Sequence, residues 1–250
     1  MPEGKSLLQR YAEYYTKHMG LRIFPCNGKT PATPHGCKDA TEDPAQIAEW
    51  WGGGSTYNVA IATGNGLVVL DVDTARDAGK FGDETLADLE QQYGPLPETW
   101  TCLTGGGGVH YYFQCDDPAL TVAAGFAPGL DYRGSGGYVV APPSIHPTTG
   151  RAYEWEASST PTSVPLAPLP DWLHRLMLQG KRGKTNKAKG REAPGKVTEG
   201  RRNEEMFHLA ASLRAKGLTV AEITAALTEA NKTRCDPPLS KREIETICQS

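Results

Sequence analysis

The stretch Gly66–Asp77, GLVVLDVDTARD, sets the tightest limit on how this chain can fold. Leu67 to Leu70 read as a buried strand. Two carboxylates, Asp71 and Asp73, follow one residue apart. In an extended chain residues i and i+2 point to one face, so both acids project together while Val72 faces the other way. Two ionised carboxylates at that spacing repel unless something positive lies between them. A divalent cation meets that need, and hard carboxylate oxygens suit Mg2+ or Mn2+. The same stretch also fits a plainer reading, in which one Asp caps a turn and the other is hydrated.

A chain of 250 residues has room for one larger domain and a small one. Its net charge of −3 gives no global basic signature, so any contact with nucleic acid has to be local. The N-terminus, MPEGKSLLQRYAEYYTKHMG, is charged and amphipathic, unlike a signal peptide. No segment reaches the ~18 apolar residues of a membrane span. A cytoplasmic protein is expected. The six cysteines include no C-x-x-C pair, so neither a zinc ribbon nor a disulfide framework is expected. Cys26, His35 and Cys37 lie close in sequence but match no common zinc spacing, and buried thiols with a loop histidine read better.

Apolar and aromatic positions 7, 8, 11, 14, 15 and 18 form a helical stripe. LRIFPC reads as a strand. Asp43 before Pro44 starts a helix running to about Trp51. YNVAIATGNGLVVLDVD reads as two strands joined around Gly64-Asn65-Gly66. Leu86, Leu89 and Tyr93 mark a further helix, ended by Gly94-Pro95. TWTCL, VHYYFQ, GGYVVAPP and AYEWE are strand candidates. The sum is an α/β domain over residues 1–178. Residues 179–200 hold seven Lys or Arg against two Glu with no apolar cluster, which predicts a basic flexible linker. Residues 201–250 predict three helices, two of them opened by the capping boxes Thr219–Glu222 and Ser240–Glu243.

Three further pieces carry chemistry. Thr101–Phe113, TCLTGGGGVHYYF, places four glycines after a strand, where the backbone can approach a ligand closely and aim N–H groups at anionic oxygens. His110 follows, where an imidazolium can pair with a phosphate. In GLDYRGSGG, Asp131 and Arg133 share one strand face; the acid completes a metal site while the guanidinium meets phosphate, or the two form a local ion pair. Ser144 and His146 lie in the loop after Pro142-Pro143, as ligand contacts or as turn residues. Together the inventory suits metal-assisted phosphoryl or nucleotidyl transfer.

The order DVD, then TGGGGVHYYF, then LDYRGSGGYVVAPPSIHPTTGRAYEW resembles the bifunctional primase–polymerase (prim-pol) family of the archaeo-eukaryotic primase superfamily. That family's acidic motif, loop-strand motif and later acidic strand fall on Asp71 and Asp73, on Thr104 to His110, and on Asp131. GKTPATPHGCKDATEDPAQIAEWW is similar to the family's N-terminal region, and residues 199–247 are similar to its helical C-terminal domain. The chain departs from many relatives in containing no G-x-x-x-x-G-K-[ST] phosphate loop. It shows no zinc-stem cysteine pattern, and its loop before His110 is richer in glycine than the S-x-H form.

The resemblance implies an α/β (α+β) core with a sheet like an RNA-recognition module, an N-terminal α/β unit, and a small all-α bundle after the linker. It implies template-directed synthesis and extension of primers on single-stranded DNA from NTP or dNTP, with a separate replicative helicase as a further partner and a phage- or plasmid-like element as its setting. Asp71, Asp73 and Asp131 would hold two Mg2+ or Mn2+ ions, with His110 beside them in the catalytic set. Thr104, Gly107, Gly108, His110, Arg133, Ser144 and His146 would bind the nucleotide. A metal-dependent nuclease or phosphohydrolase, and a non-catalytic DNA-binding replication factor, are the competing classes.

Overall fold

The expected buried strand is β4 (Gly66–Val72), and the fold is built around it. The structure, a computed structural model, describes residues 5–74, 80–189, 202–215 and 219–249. The chain divides into two compact units, residues 1–185 and 186–250. In the first, Leu67 and Val69 join one apolar cluster while Val68, Leu70 and Val72 join another. That alternation is what a strand covered on both faces produces.

β4 lies inside a six-stranded sheet. The order is β10 (Glu154–Trp155), β5 (Thr101–Leu103), β6 (Val109–Cys115), β4, β8 (Leu130–Arg133), β7 (Val122–Ala127), all pairs antiparallel. A second, four-stranded sheet runs β2 (Thr30–Pro31), β1 (Ile23–Asn27), β3 (Asn58–Ala62), β9 (Tyr138–Val140). Ile23, Val59, Ile61 and Val139 of the smaller sheet meet Leu67, Val69, Cys102 and Tyr112 of the larger. The helices α1 (Leu7–Met19) and α2 (Pro44–Trp51) close this cluster with Ala12, Tyr15, Ile47 and Trp51. On the opposite face of the larger sheet, α3 (Gly82–Tyr93) and α4 (Asp171–Lys189) contribute Leu86, Trp172, Leu173 and Met177. The architecture is mixed α/β.

Local chemistry explains the helix limits. Ser6 Oγ accepts from Gln9 N to start α1, and Gly20, at φ 62°, ends it in the left-handed conformation. Asp43 caps α2 through Ala45 N, with Pro44 at the first position.

Three details differ from the sequence expectation. The Gly64-Asn65-Gly66 turn forms, with Asn65 at φ 49° and Gly66 at φ 93°, yet β3 and β4 part into different sheets. Both edges of each strand are already taken, by β1 and β9 for one and by β6 and β8 for the other. The second difference is β7, an unexpected sheet-edge strand rich in Ala and Gly with a register shift between Ala123 and Ala127. Finally, α4 carries helix through residues 179–189, where a linker is expected. Leu173 and Met177 anchor its start, and Lys, Arg and Ala propagate a helix well once it is nucleated. The rest of the expected linker, 190–200, lies outside the described residues.

In the second unit, α5 (Arg202–Ala215), α6 (Val220–Arg234) and α7 (Lys241–Gln249) gather around Met206, Ile223, Leu227 and Ile244. Glu222 Oε2 accepts from Thr219 N at 2.8 Å, and Glu243 Oε2 from Ser240 N at 2.7 Å, closing both capping boxes. Among the described residues no helix is long and apolar enough to cross a membrane.

Leu70 is fully buried beneath α3 and α4. Leu70→Ala is expected to cost ~2–5 kcal/mol. Urea unfolding followed by tryptophan fluorescence reads this on the first unit alone, because all five tryptophans lie between Trp50 and Trp172.

Candidate active site

The register of the larger sheet assembles the centre of the site. Asp71 stands directly opposite His110 on β6 and Asp131 on β8, and His110 in turn opposite Cys102 on β5. Residues paired across antiparallel strands share a face. Asp71, His110 and Asp131 therefore form one row across three adjacent strands, on the face that also carries Leu67 and Val69.

Cations lie among these acids. Arg133 Nη2 is 3.4 Å from Asp71 Oδ2 and 3.2 Å from Asp131 Oδ2. Asp73, one residue past the end of β4, accepts from Lys80 Nζ at 2.6 Å. That bond, first among the causes, raises the Lys80 ammonium above the ordinary lysine range. The Asp73 main chain is fixed on both sides: its N–H donates to Gly129 O and its carbonyl accepts from Gly82 N, each at 2.9 Å.

His110 departs from the imidazolium expected of it. Burial pushes its pKa below the ordinary histidine value, and the nearby Asp71 carboxylate only partly opposes this. Burial thus favours the neutral ring, whose Nε2 lies 3.5 Å from Asp71 Oδ1 and whose Nδ1 is buried with no hydrogen-bond partner among the described residues.

Asp71, Asp73, Thr104, Gly108, His110 and His146 line one cavity of about 280 Å3. An adjoining cavity of about 300 Å3 shares Asp71 and His110 and adds Arg133. Lys29, from the turn between β1 and β2, lines both, as does Tyr153. Sequence reasoning assigned neither residue to the site. Lys29 sits far from the acids along the chain; its only signal is its place in the GKTP segment.

Two expected contacts are spent elsewhere. Gly107 N donates to Thr104 O and Gly108 N to Thr104 Oγ1, each at 2.9 Å, so the hairpin consumes both amides. Gly105 and Gly106 are the glycines whose N–H groups donate to nothing among the described residues. Gly105 must be glycine because a Cβ there would lie 2.4 Å from Arg151 O. Ser144 is fully buried and its Oγ accepts from Val59 N at 2.9 Å, stitching its loop to β3 away from the cavity. Ser144→Ala leaves that amide unsatisfied. The expected result is a loss of about 1–3 kcal/mol in urea unfolding with the KM for nucleotide unchanged.

Carboxylate oxygens are the donors Mg2+ or Mn2+ would take. Asp71 and Asp73 fit that use: both open on one cavity, and each already has a cation beside it. Asp131 is engaged more fully, its Oδ1 accepting from Gly125 N and its Oδ2 facing Arg133. Among the described residues no three His, Cys, Asp or Glu side chains are grouped as a bound ion would require.

Paired acids, a lysine, two histidines and a glycine hairpin around one cavity define a class of site suited to metal-assisted chemistry on phosphates. Residues 12–172 match the family model for the N-terminal domain of bifunctional DNA primase/polymerase (Prim-Pol), and residues 191–250 match that for primase C terminal 1 (PriCT-1). The first match spans well over half of the 250 residues, and the chain belongs to the Prim-Pol family. Both matches support a replication function of the DNA primase/polymerase type. Comparison with curated proteins finds no match.

Proposed function

We propose that this protein synthesises and extends primers on single-stranded DNA by template-directed nucleotidyl transfer from NTP or dNTP. The observation that carries the proposal is the opening of Asp71 and Asp73 on the cavity that also holds His110, His146, Lys29 and the glycine hairpin, in a chain of the Prim-Pol family. In this reading the six-stranded sheet is the core that resembles an RNA-recognition module, and α5–α7 form the helical primase C-terminal domain.

Asp71 and Asp73 hold the divalent Mg2+ or Mn2+, with Asp131 as the third acid. When bound, such ions lower the pKa of an attacking 3′-hydroxyl and stabilise charge on departing pyrophosphate. Arg133 keeps the Asp71–Asp131 pair from repelling itself and faces the second cavity. Neutral His110 packs beside Asp71 and fixes its orientation. Thr104, Gly107 and Gly108 shape the hairpin that lets Gly106 approach the ligand. A phage- or plasmid-borne replication system with a separate helicase is the setting the family suggests.

The test combines purified full-length protein, a single-stranded template, labelled NTP or dNTP, and Mg2+ or Mn2+. Products complementary to the template are expected. Degradation of template or nucleotide without synthesis would identify a metal-dependent nuclease or phosphohydrolase instead. Template binding without turnover would identify a non-catalytic replication factor.

A further inference from the structure

We infer that the turn carrying Lys29 and the loop carrying His146 form a single cradle for the polyphosphate tail of the incoming nucleotide, and that Asn58 is the positioning residue that holds its two halves together. The inference rests on the function proposed above and names which residues take the phosphates.

Asn58 opens β3 and is 6% exposed. Its Nδ2 donates to Gly28 O at 2.9 Å and to Ile145 O at 2.7 Å, while its Oδ1 accepts from Ile145 N at 3.0 Å. Both amide hydrogens and the carbonyl are used. Gly28 precedes Lys29 and Ile145 precedes His146, so one carboxamide fixes the main chain immediately before each residue. The two segments also touch directly: a Cβ on Gly28, at φ +60°, would lie 3.0 Å from Pro147 Cβ. A third segment is lashed on by Thr149 Oγ1 and Arg151 Nε, which donate to Gly105 O at 2.7 and 3.0 Å.

What these segments present is a set of donors. Among the described residues no carboxylate pairs with the Lys29 ammonium, which lines both cavities. His146 Nδ1 accepts from Thr148 N and Thr149 N, each at 3.3 Å. A ring nitrogen that accepts carries no hydrogen, so the neutral imidazole holds its proton on Nε2. Burial, with Lys29 and Arg151 nearby, keeps this ring below the ordinary histidine pKa and so neutral. The Nε2 edge lies against the glycine hairpin, where a Cβ on Gly106 would be 3.3 Å away. Lys29, His146 and Gly106 line one cavity and bring to it an ammonium, an imidazole N–H and a main-chain N–H. All are donors, and a polyphosphate is all acceptors. Arg133 and His110, the residues expected to take the phosphates, are engaged: one by two carboxylates, the other by burial beside Asp71.

Inorganic tripolyphosphate, which has neither base nor sugar, is the probe. Its affinity for the full-length protein is measured by calorimetry at fixed ionic strength. Lys29→Gln is expected to weaken it about tenfold to a hundredfold, the range of a charge-assisted hydrogen bond. His146→Ala is expected to weaken it about tenfold, and His146→Gln, whose amide N–H reaches the Nε2 position, less than that. Asn58→Ala, which releases both segments, should weaken it more than His146→Ala, while nucleoside monophosphate binds all variants as it binds wild type. In steady state Lys29→Gln raises the KM for nucleotide more than it lowers kcat. The Lys29 side chain is exposed, so its variant folds whatever becomes of Asn58→Ala. Tripolyphosphate that fails to bind wild type, or that binds Lys29→Gln and His146→Ala as tightly as wild type, overturns the cradle even if DNA is synthesised. Losses in the variants of a protein that synthesises nothing uphold the cradle and overturn the proposed polymerase.

Discussion

Asp71→Asn is expected to abolish primer synthesis and extension, a loss of about a thousandfold or more, equivalent to roughly 4 kcal/mol of transition-state stabilisation. The substitution keeps the side chain's shape and removes only its charge. Asp71 is the one residue paired to both His110 and Asp131 across the sheet, and it opens on both cavities. The fold should tolerate the change. Arg133 keeps Asp131 at 3.2 Å and is not left as an unpaired charge. Burial disfavours the charged form of His110, so little ion pairing is lost there. Unfolding free energy is therefore expected within about 1 kcal/mol of wild type. Extension of an annealed primer in Mg2+ or Mn2+, alongside urea unfolding, checks both halves. Normal extension by a folded Asp71→Asn protein would remove the acid from the proposed chemistry.

The second large effect is expected at a residue with no functional group. Gly82→Ala should slow primer extension about a hundredfold, the scale of a displacement near 1 Å at a reacting centre. It should also destabilise the first unit by ~1–3 kcal/mol, the usual cost of overpacking. A Cβ at Gly82 would come 2.4 Å from Gly129 O and 2.7 Å from Asp73 O. Those carbonyls belong to the hydrogen bonds that fix Asp73: Gly82 N to Asp73 O, and Asp73 N to Gly129 O. A methyl group there can be housed only by moving the Asp73 main chain or the β7–β8 turn. Gly53→Ala is the control. Gly53 differs in having a positive φ, 63°, but nothing lies within 4 Å of its Cβ position. It should lose about 1 kcal/mol and keep full extension activity. Equal activities for the two variants would show that Asp73 tolerates the shift.

Much of this was legible in the sequence where the signal is local. The β4 run, the Asp43-Pro44 start and both capping boxes depend on neighbours within one or two turns of chain. The DVD pair and His110 were legible because i, i+2 geometry and a glycine hairpin are also local. What escaped depends on pairing between distant segments. Nothing near Ser144 says that its hydroxyl serves β3, and nothing near Lys29 says that its turn closes over Asp71. The glycine loop shows why composition alone misleads: four successive glycines suggested free amides, yet the hairpin's own bonds take two of them. The protonation state of His110 escaped for the same reason, since burial by packing outweighs its carboxylate neighbour.

The His110–Asp71–Asp131 row also bears on how the chain finds its fold. These residues come from strands far apart in sequence, and such long-range pairing makes folding slow relative to helical proteins. A slip of one residue in β4 would turn Asp71 into the cluster of Leu70, Phe113 and Leu173. A carboxylate has no partner there, and burying it alone is heavily penalised. The acids to which the proposed function gives the chemistry would thus also act during folding as sorting marks, penalising sheets assembled one step out of line. Recovery of activity after dilution from denaturant should accordingly keep pace with recovery of native tryptophan fluorescence, since correct strand alignment and a working site arise in the same event.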